Sequence, residues 1–229
     1  KNIGSPLEVP LWKRGMQGDF EDAIFRFYPI PETRYPIPGC FMNLILIGYR
    51  GSGKTSVGRE LAKLLERPFF DSDRMVFAKT GRTVGEIVEA GGWAAFREAE
   101  KAVIAELSAL DQAVISLGGG AVMDPDNVAA LEERGKFVWL KADARTLARR
   151  MQSEKIGSGQ RPSLTGAGTL EEVERVLAER LPVYRALADL AVDTTGKYPA
   201  GIAAEIAAAV SDDPAPRRVK TDRRRPHVR

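Results

Sequence analysis

The chain has 229 residues, 44% of them hydrophobic, which suits one α/β domain with appendages and a single sizeable core. Its only cysteine, Cys40, excludes an intramolecular disulfide and fits a reducing compartment, and no run approaches the ~18 apolar residues of a membrane span. The net charge of +3 belongs to the C-terminal end, where residues 211–229 hold seven basic and three acidic residues. A proline-bearing charge run of that kind reads as a solvated, disordered tail rather than a nucleic-acid surface. With no continuous apolar leader at the N-terminus, a cytoplasmic protein with neither a nucleic-acid nor a membrane partner is expected.

Residues 1–41 are rich in proline and aromatic residues and show no helical or strand period. Three readings of them stand: an adapter segment, the end of an upstream domain, or a mis-assigned start with Met42 as first residue. The core begins at 42. Asn43-Leu44-Ile45-Leu46-Ile47 is an apolar run suited to a buried parallel strand. Gly48-Tyr49-Arg50-Gly51-Ser52-Gly53-Lys54-Thr55 follows, and then Val57, Leu61, Leu64 and Leu65 at helical spacing. Pro68-Phe69-Phe70-Asp71 gives a second strand. Phe96, Val103, Leu107 and Leu110 mark one face of a long helix. Ala113-Val114-Ile115-Ser116 is a third strand running into Gly118-Gly119-Gly120. A helix over about 124–134 precedes the strand Phe137-Val138-Trp139-Leu140. Residues 152–168 carry glycine and polar residues with little apolar content. Val173, Leu177 and Leu181 mark a helix from about Leu170, Leu190-Ala191-Val192 a short strand, and Ile202, Ile206 and Val210 a closing helix. Alternating βα units imply a parallel sheet with helices on both faces, and ligands then sit outside the carboxyl ends of the strands.

The segment 48–55 fits G-x-x-x-x-G-K-[ST] in the strand–loop–helix order the motif needs. Its glycines let several N–H groups converge on a phosphate chain at the positive end of a helix. Gly51, Ser52, Gly53, Lys54, Thr55 and Ser56 are therefore candidates for ATP. Lys54 reaches toward the β- and γ-phosphates, and Thr55 offers a hydroxyl to Mg²⁺. Asp71-Ser72-Asp73 puts two carboxylates at the same sheet edge. One suits water-mediated support of Mg²⁺ and the other a substrate hydroxyl, while a plainer reading makes Asp73 the N-cap of a helix at 74–76. Gly118-Gly119-Gly120 suits either a close backbone approach or a tight turn. Arg97 and Glu100 are i, i+3 neighbours that read equally as a surface ion pair. With Arg161 and Arg180, Arg97 suggests guanidinium groups converging on a phosphate or a carboxylate.

G-x-x-G-x-G-K-T, D-[ST]-D after strand two, F-R on a helix, S-L-G-G-G-A after strand three, then R-P, then R-x-P-x-Y-R resemble shikimate kinase in order and spacing over about residues 42–210. The resemblance implies an α/β three-layer P-loop kinase fold with a five-stranded parallel sheet of order 2-3-1-4-5 and a mobile lid over about 152–168. It implies ATP-dependent, Mg²⁺-assisted phosphorylation of the shikimate 3-hydroxyl by a monomer. Carried over by position, it implies Asp73 on the ring hydroxyls, Arg97 and Arg180 on the carboxylate, and Gly118, Gly119 and Gly120 as the backbone lining the substrate. It implies Asp71 and Thr55 toward the metal, Glu100 orienting Arg97, Arg161 as the lid arginine on the phosphates, and Arg150 near the adenine. The stretch between Arg150 and Arg161 is longer than in compact bacterial members. The adenine-loop segment 193–199 lacks the arginine of some relatives. The competing expectations are a gluconate-type or nucleoside monophosphate kinase on the same scaffold, and an ATP-binding protein with a decayed catalytic site. His227 is the only histidine, so histidine general-base chemistry is not expected.

Overall fold

The computed structural model describes residues 42–157 and 170–211. The extension 1–41, Arg161 and Pro162, and the tail from residue 212 lie outside the described residues. A parallel sheet forms the centre in the order β2-β3-β1-β4-β5. The strands are β1 (Asn43–Ile47), β2 (Phe69–Asp71), β3 (Val114–Ser116), β4 (Gly135–Lys141) and β5 (Leu190–Asp193). The helices are α1 (Lys54–Leu64), α2 (Ser72–Thr80), α3 (Val84–Leu107), α4 (Pro125–Glu132), α5 (Ala144–Gly157), α6 (Leu170–Leu187) and α7 (Pro199–Ser211). This is the sheet order expected from the sequence.

The unbroken apolar run of β1 is explained by its central place. Leu44 pairs with Val114 on one side and with Lys136 on the other, and all five residues of the strand are buried. Its alternate side chains enter different cores, as the pleat requires. Ile45 and Ile47 pack with Phe96, Val103, Leu107 and Leu131, whereas Leu44 and Leu46 pack with Val57, Leu61, Ile202 and Ile206. Burying each such side chain stabilises by ~1.5–3 kcal/mol. A polar residue on either face of β1 would therefore damage a core.

Three local features place the site. At the sheet edge, α2 follows β2 with no intervening turn, and Asp71 is its N-cap, its Oδ1 accepting from the Arg74 N–H at 3.3 Å. Asp73 lies in the first turn of α2, so the capping role considered for it belongs to Asp71 instead. The long helix starts earlier than its apolar face suggests, at a capping box between Thr83 and Glu86, and it breaks at Gly92 (φ 73°, ψ −179°). Finally, α5 continues to Gly157. Residues 152–157 are thus helical, although their polar composition reads as part of a loop.

Candidate active site

The phosphate loop needs its glycines for geometry. Gly48, Gly51 and Gly53 have φ of 137°, 78° and 93°, where L side chains are strained. A Cβ on Gly48 would also collide with the Leu140 carbonyl of β4. Gly53 is the N-cap of α1 and supplies no side-chain cap, so the first N–H groups of that helix are left for an anion. Lys54 is buried, and its ammonium donates to the carbonyl oxygens of Gly48 (2.8 Å) and Tyr49 (2.9 Å), which lays the side chain back across the loop. The Thr55 hydroxyl donates to Asp71 Oδ2 at 2.7 Å. Asp71 thus serves both as helix cap and as partner of the loop threonine. Ser52 is buried, and Ser56 is exposed in the first turn of α1.

Beside this loop lies a cleft lined by Asp73, Arg97, Glu100, Arg180 and the Gly118–Gly120 backbone, with Arg50 on the loop side. The three glycines are there for close approach rather than for positive φ. A Cβ on Gly118 would lie 2.6 Å from Glu100 Oε1 and 3.2 Å from Asp73 Oδ1. One on Gly120 would strike the Arg97 guanidinium. One on Gly119 would sit 3.4 Å from the Gly48 carbonyl and 3.5 Å from Arg180 Nη1. Two carboxylates, two guanidinium groups and the phosphate loop therefore meet around one bare stretch of backbone.

Arg97 and Glu100 are paired as their spacing suggests, but not as a surface pair. Glu100 is 1% exposed and accepts from Arg97 Nη1, while its Oε1 has no hydrogen-bond partner. Burial pushes the Glu100 carboxyl up, the Arg97 guanidinium pulls it down, and the negative charge of Asp73 pushes it up again. The Arg97 guanidinium also lies 5.3 Å from the Phe96 ring centroid and 5.8 Å from that of Trp93, and Arg180 lies 5.6 Å from the Tyr49 ring. Such stacking holds a guanidinium flat without satisfying its N–H donors.

Several contributors escape a reading of the sequence alone. Val84, Trp93 and Phe96 form the apolar wall of the cleft, and Ser72 Oγ accepts the Gly118 N–H at 2.9 Å. Arg150, expected near adenine, ties two loops together. It donates to Gly51 O (3.2 Å), Thr194 Oγ1 (3.0 Å) and Thr194 O (2.7 Å). The phosphate loop is thereby anchored to the segment after β5.

Residues 50–211 match the family model described as shikimate kinase. The chain belongs to the shikimate kinase family. A shikimate kinase of Syntrophus aciditrophicus is 43% identical over 172 residues, covering 72% of this chain and 88% of that relative. One of Symbiobacterium thermophilum is 42% identical over 165 residues, 72% of this chain and 94% of the relative. Among solved structures, the shikimate kinase from Acinetobacter baumannii in complex with shikimate aligns with a TM-score of 0.71 at 33% identity, covering 76% of this chain and 95% of that one. The three-layer fold and the sheet order are thus those of shikimate kinases. The family match ends where α7 ends, and it begins within the phosphate loop. Among the described residues no helix is long and apolar enough to cross a membrane, and no cluster of three His, Cys, Asp or Glu side chains forms a metal cage.

Proposed function

We propose that this cleft carries out the family's reaction, ATP-dependent transfer of a phosphoryl group to the 3-hydroxyl of shikimate, with the roles divided as follows. The observation that carries the reading is the packing of Asp73, Glu100, Arg97 and Arg180 around the Gly118–Gly120 backbone, directly against the phosphate loop. Donor and acceptor are then held side by side, and phosphoryl transfer depends mostly on such positioning and on charge stabilisation. The loop N–H groups and Lys54 bind the phosphate chain, Lys54 exchanging its carbonyl contacts for phosphate oxygens. Arg161 adds a further cation on the phosphates, a role that rests on its place in the sequence. Arg97 and Arg180 grip the shikimate carboxylate, and Glu100 keeps the Arg97 fork in orientation. Asp73 accepts a hydrogen bond from the attacking hydroxyl and takes its proton as the new P–O bond completes.

The donor set at Thr55 and Asp71 fits Mg²⁺. Both offer hard oxygen atoms and stand 2.7 Å apart at the phosphate loop, and this ion commonly takes few protein ligands and several waters. Thr55 would ligate it directly and Asp71 through water. When bound, Mg²⁺ supplies charge neutralisation on the β- and γ-phosphate oxygens.

Arg97→Lys tests the acceptor assignment. Lysine keeps a positive charge beside buried Glu100, so it avoids the ~3–5 kcal/mol cost of orphaning a buried partner. It cannot reproduce the planar fork. Shikimate KM should rise roughly tenfold or more, while ATP affinity measured without shikimate stays near wild type. An unchanged shikimate KM would make Arg97 only the partner of Glu100.

A further inference from the structure

The Gly118–Gly120 stretch has no side chains with which to hold its own orientation, so its tethers must come from neighbours. Gly118 N–H donates to Ser72 Oγ (2.9 Å), and the carbonyls of Gly118 and Gly120 accept from the N–H groups of Ala121 and Met123 (3.0 Å each). The remaining carbonyl, that of Gly119, accepts from the hydroxyl of Tyr184. Tyr184 is fully buried, and its ring lies against Trp139 of β4 at 6.1 Å. One turn earlier on α6 stands Arg180, whose Nη1 would be 3.5 Å from a Cβ on Gly119. Peptide units are planar, and none here is cis. Fixing the Gly119 carbonyl therefore also fixes the Gly120 N–H, which points the opposite way.

We propose that Tyr184 is a positioning residue for the acceptor: its hydroxyl locks the Gly119–Gly120 peptide to the helix that carries Arg180, so backbone and guanidinium keep a set spacing. The inference rests on reading the cleft as the shikimate site. Ring packing alone is the competing role, and the two separate cleanly, because the ring and the hydroxyl have different partners. Burial pushes the Tyr184 phenol up to about 12, so its hydroxyl keeps the donated proton throughout the neutral range.

The test is Tyr184→Phe, which keeps the ring and removes the hydroxyl. Tyr184→Met, with its adaptable volume, serves if the first variant does not fold. Shikimate KM should rise roughly five- to tenfold, the size of one lost buried hydrogen bond. ATP affinity without shikimate should be unchanged. Combined with Arg180→Lys, the effects should be less than additive, because both substitutions disturb one spacing. Unchanged shikimate KM in a folded variant overturns the inference, and so does an equal loss of ATP affinity. Failure of both variants to fold at 25 °C with ATP present overturns it too, since Tyr184 would then serve stability. If the unmodified chain itself does not turn over shikimate, the underlying reading of the cleft fails instead.

Discussion

Lys54→Ala is expected to lower kcat by about 10²-fold or more, with the fold intact. The ammonium is a point charge placed where negative charge gathers as the γ-phosphoryl is transferred, and alanine leaves nothing in its place. The structure adds a second consequence. Lys54 bridges the carbonyls of Gly48 and Tyr49, so its loss also releases a strap across the loop. ATP affinity is consequently an uncertain guide to its catalytic role, and kcat at saturating ATP is the quantity to measure, beside circular dichroism. A folded variant with near-normal kcat would refute the assignment of the loop.

Asp73→Asn should likewise reduce kcat by about 10²-fold while leaving ATP affinity and helicity alone. The amide keeps the shape of the carboxylate but not the negative acceptor that aligns a hydroxyl and takes its proton. Helix capping does not confuse the result, because the cap of α2 is Asp71. A second effect follows from the electrostatics. Asp73 helps to push the Glu100 carboxyl up, so neutralising it should ease Glu100 ionisation and tighten its pairing with Arg97. The loss should therefore fall on kcat more than on shikimate KM. Unchanged kcat would remove Asp73 from the chemistry.

Much of this architecture is legible in the sequence, because its signals are tied to backbone geometry. The glycines of the phosphate loop are required by positive φ, and the continuous apolar run of β1 is required by burial on two faces. What is not legible depends on tertiary approach. The spacing of Arg97 and Glu100 is the same for a surface pair as for a buried one. The burial of Glu100 and the close pass of Gly118 and Gly120 show which it is. The cap of α2 moved from Asp73 to Asp71 because β2 runs into the helix without a turn, a boundary shift of two residues that composition does not reveal. Residues 152–157 are mostly polar, and a mostly polar stretch suits the last turns of a helix as well as it suits a loop. Tyr184 and Arg150 act through backbone carbonyls far away in sequence, and such contacts leave no local pattern.

The most direct measurement is product analysis. The purified chain is incubated with ATP, Mg²⁺ and one acceptor at a time, chosen from shikimate, gluconate, AMP and CMP. Release of ADP is followed by a coupled assay, and the phosphorylated product is identified by ³¹P NMR. The account predicts ADP release matched by formation of shikimate 3-phosphate, with little or no turnover on the other three acceptors. Turnover on gluconate or a nucleoside monophosphate together with none on shikimate would contradict it.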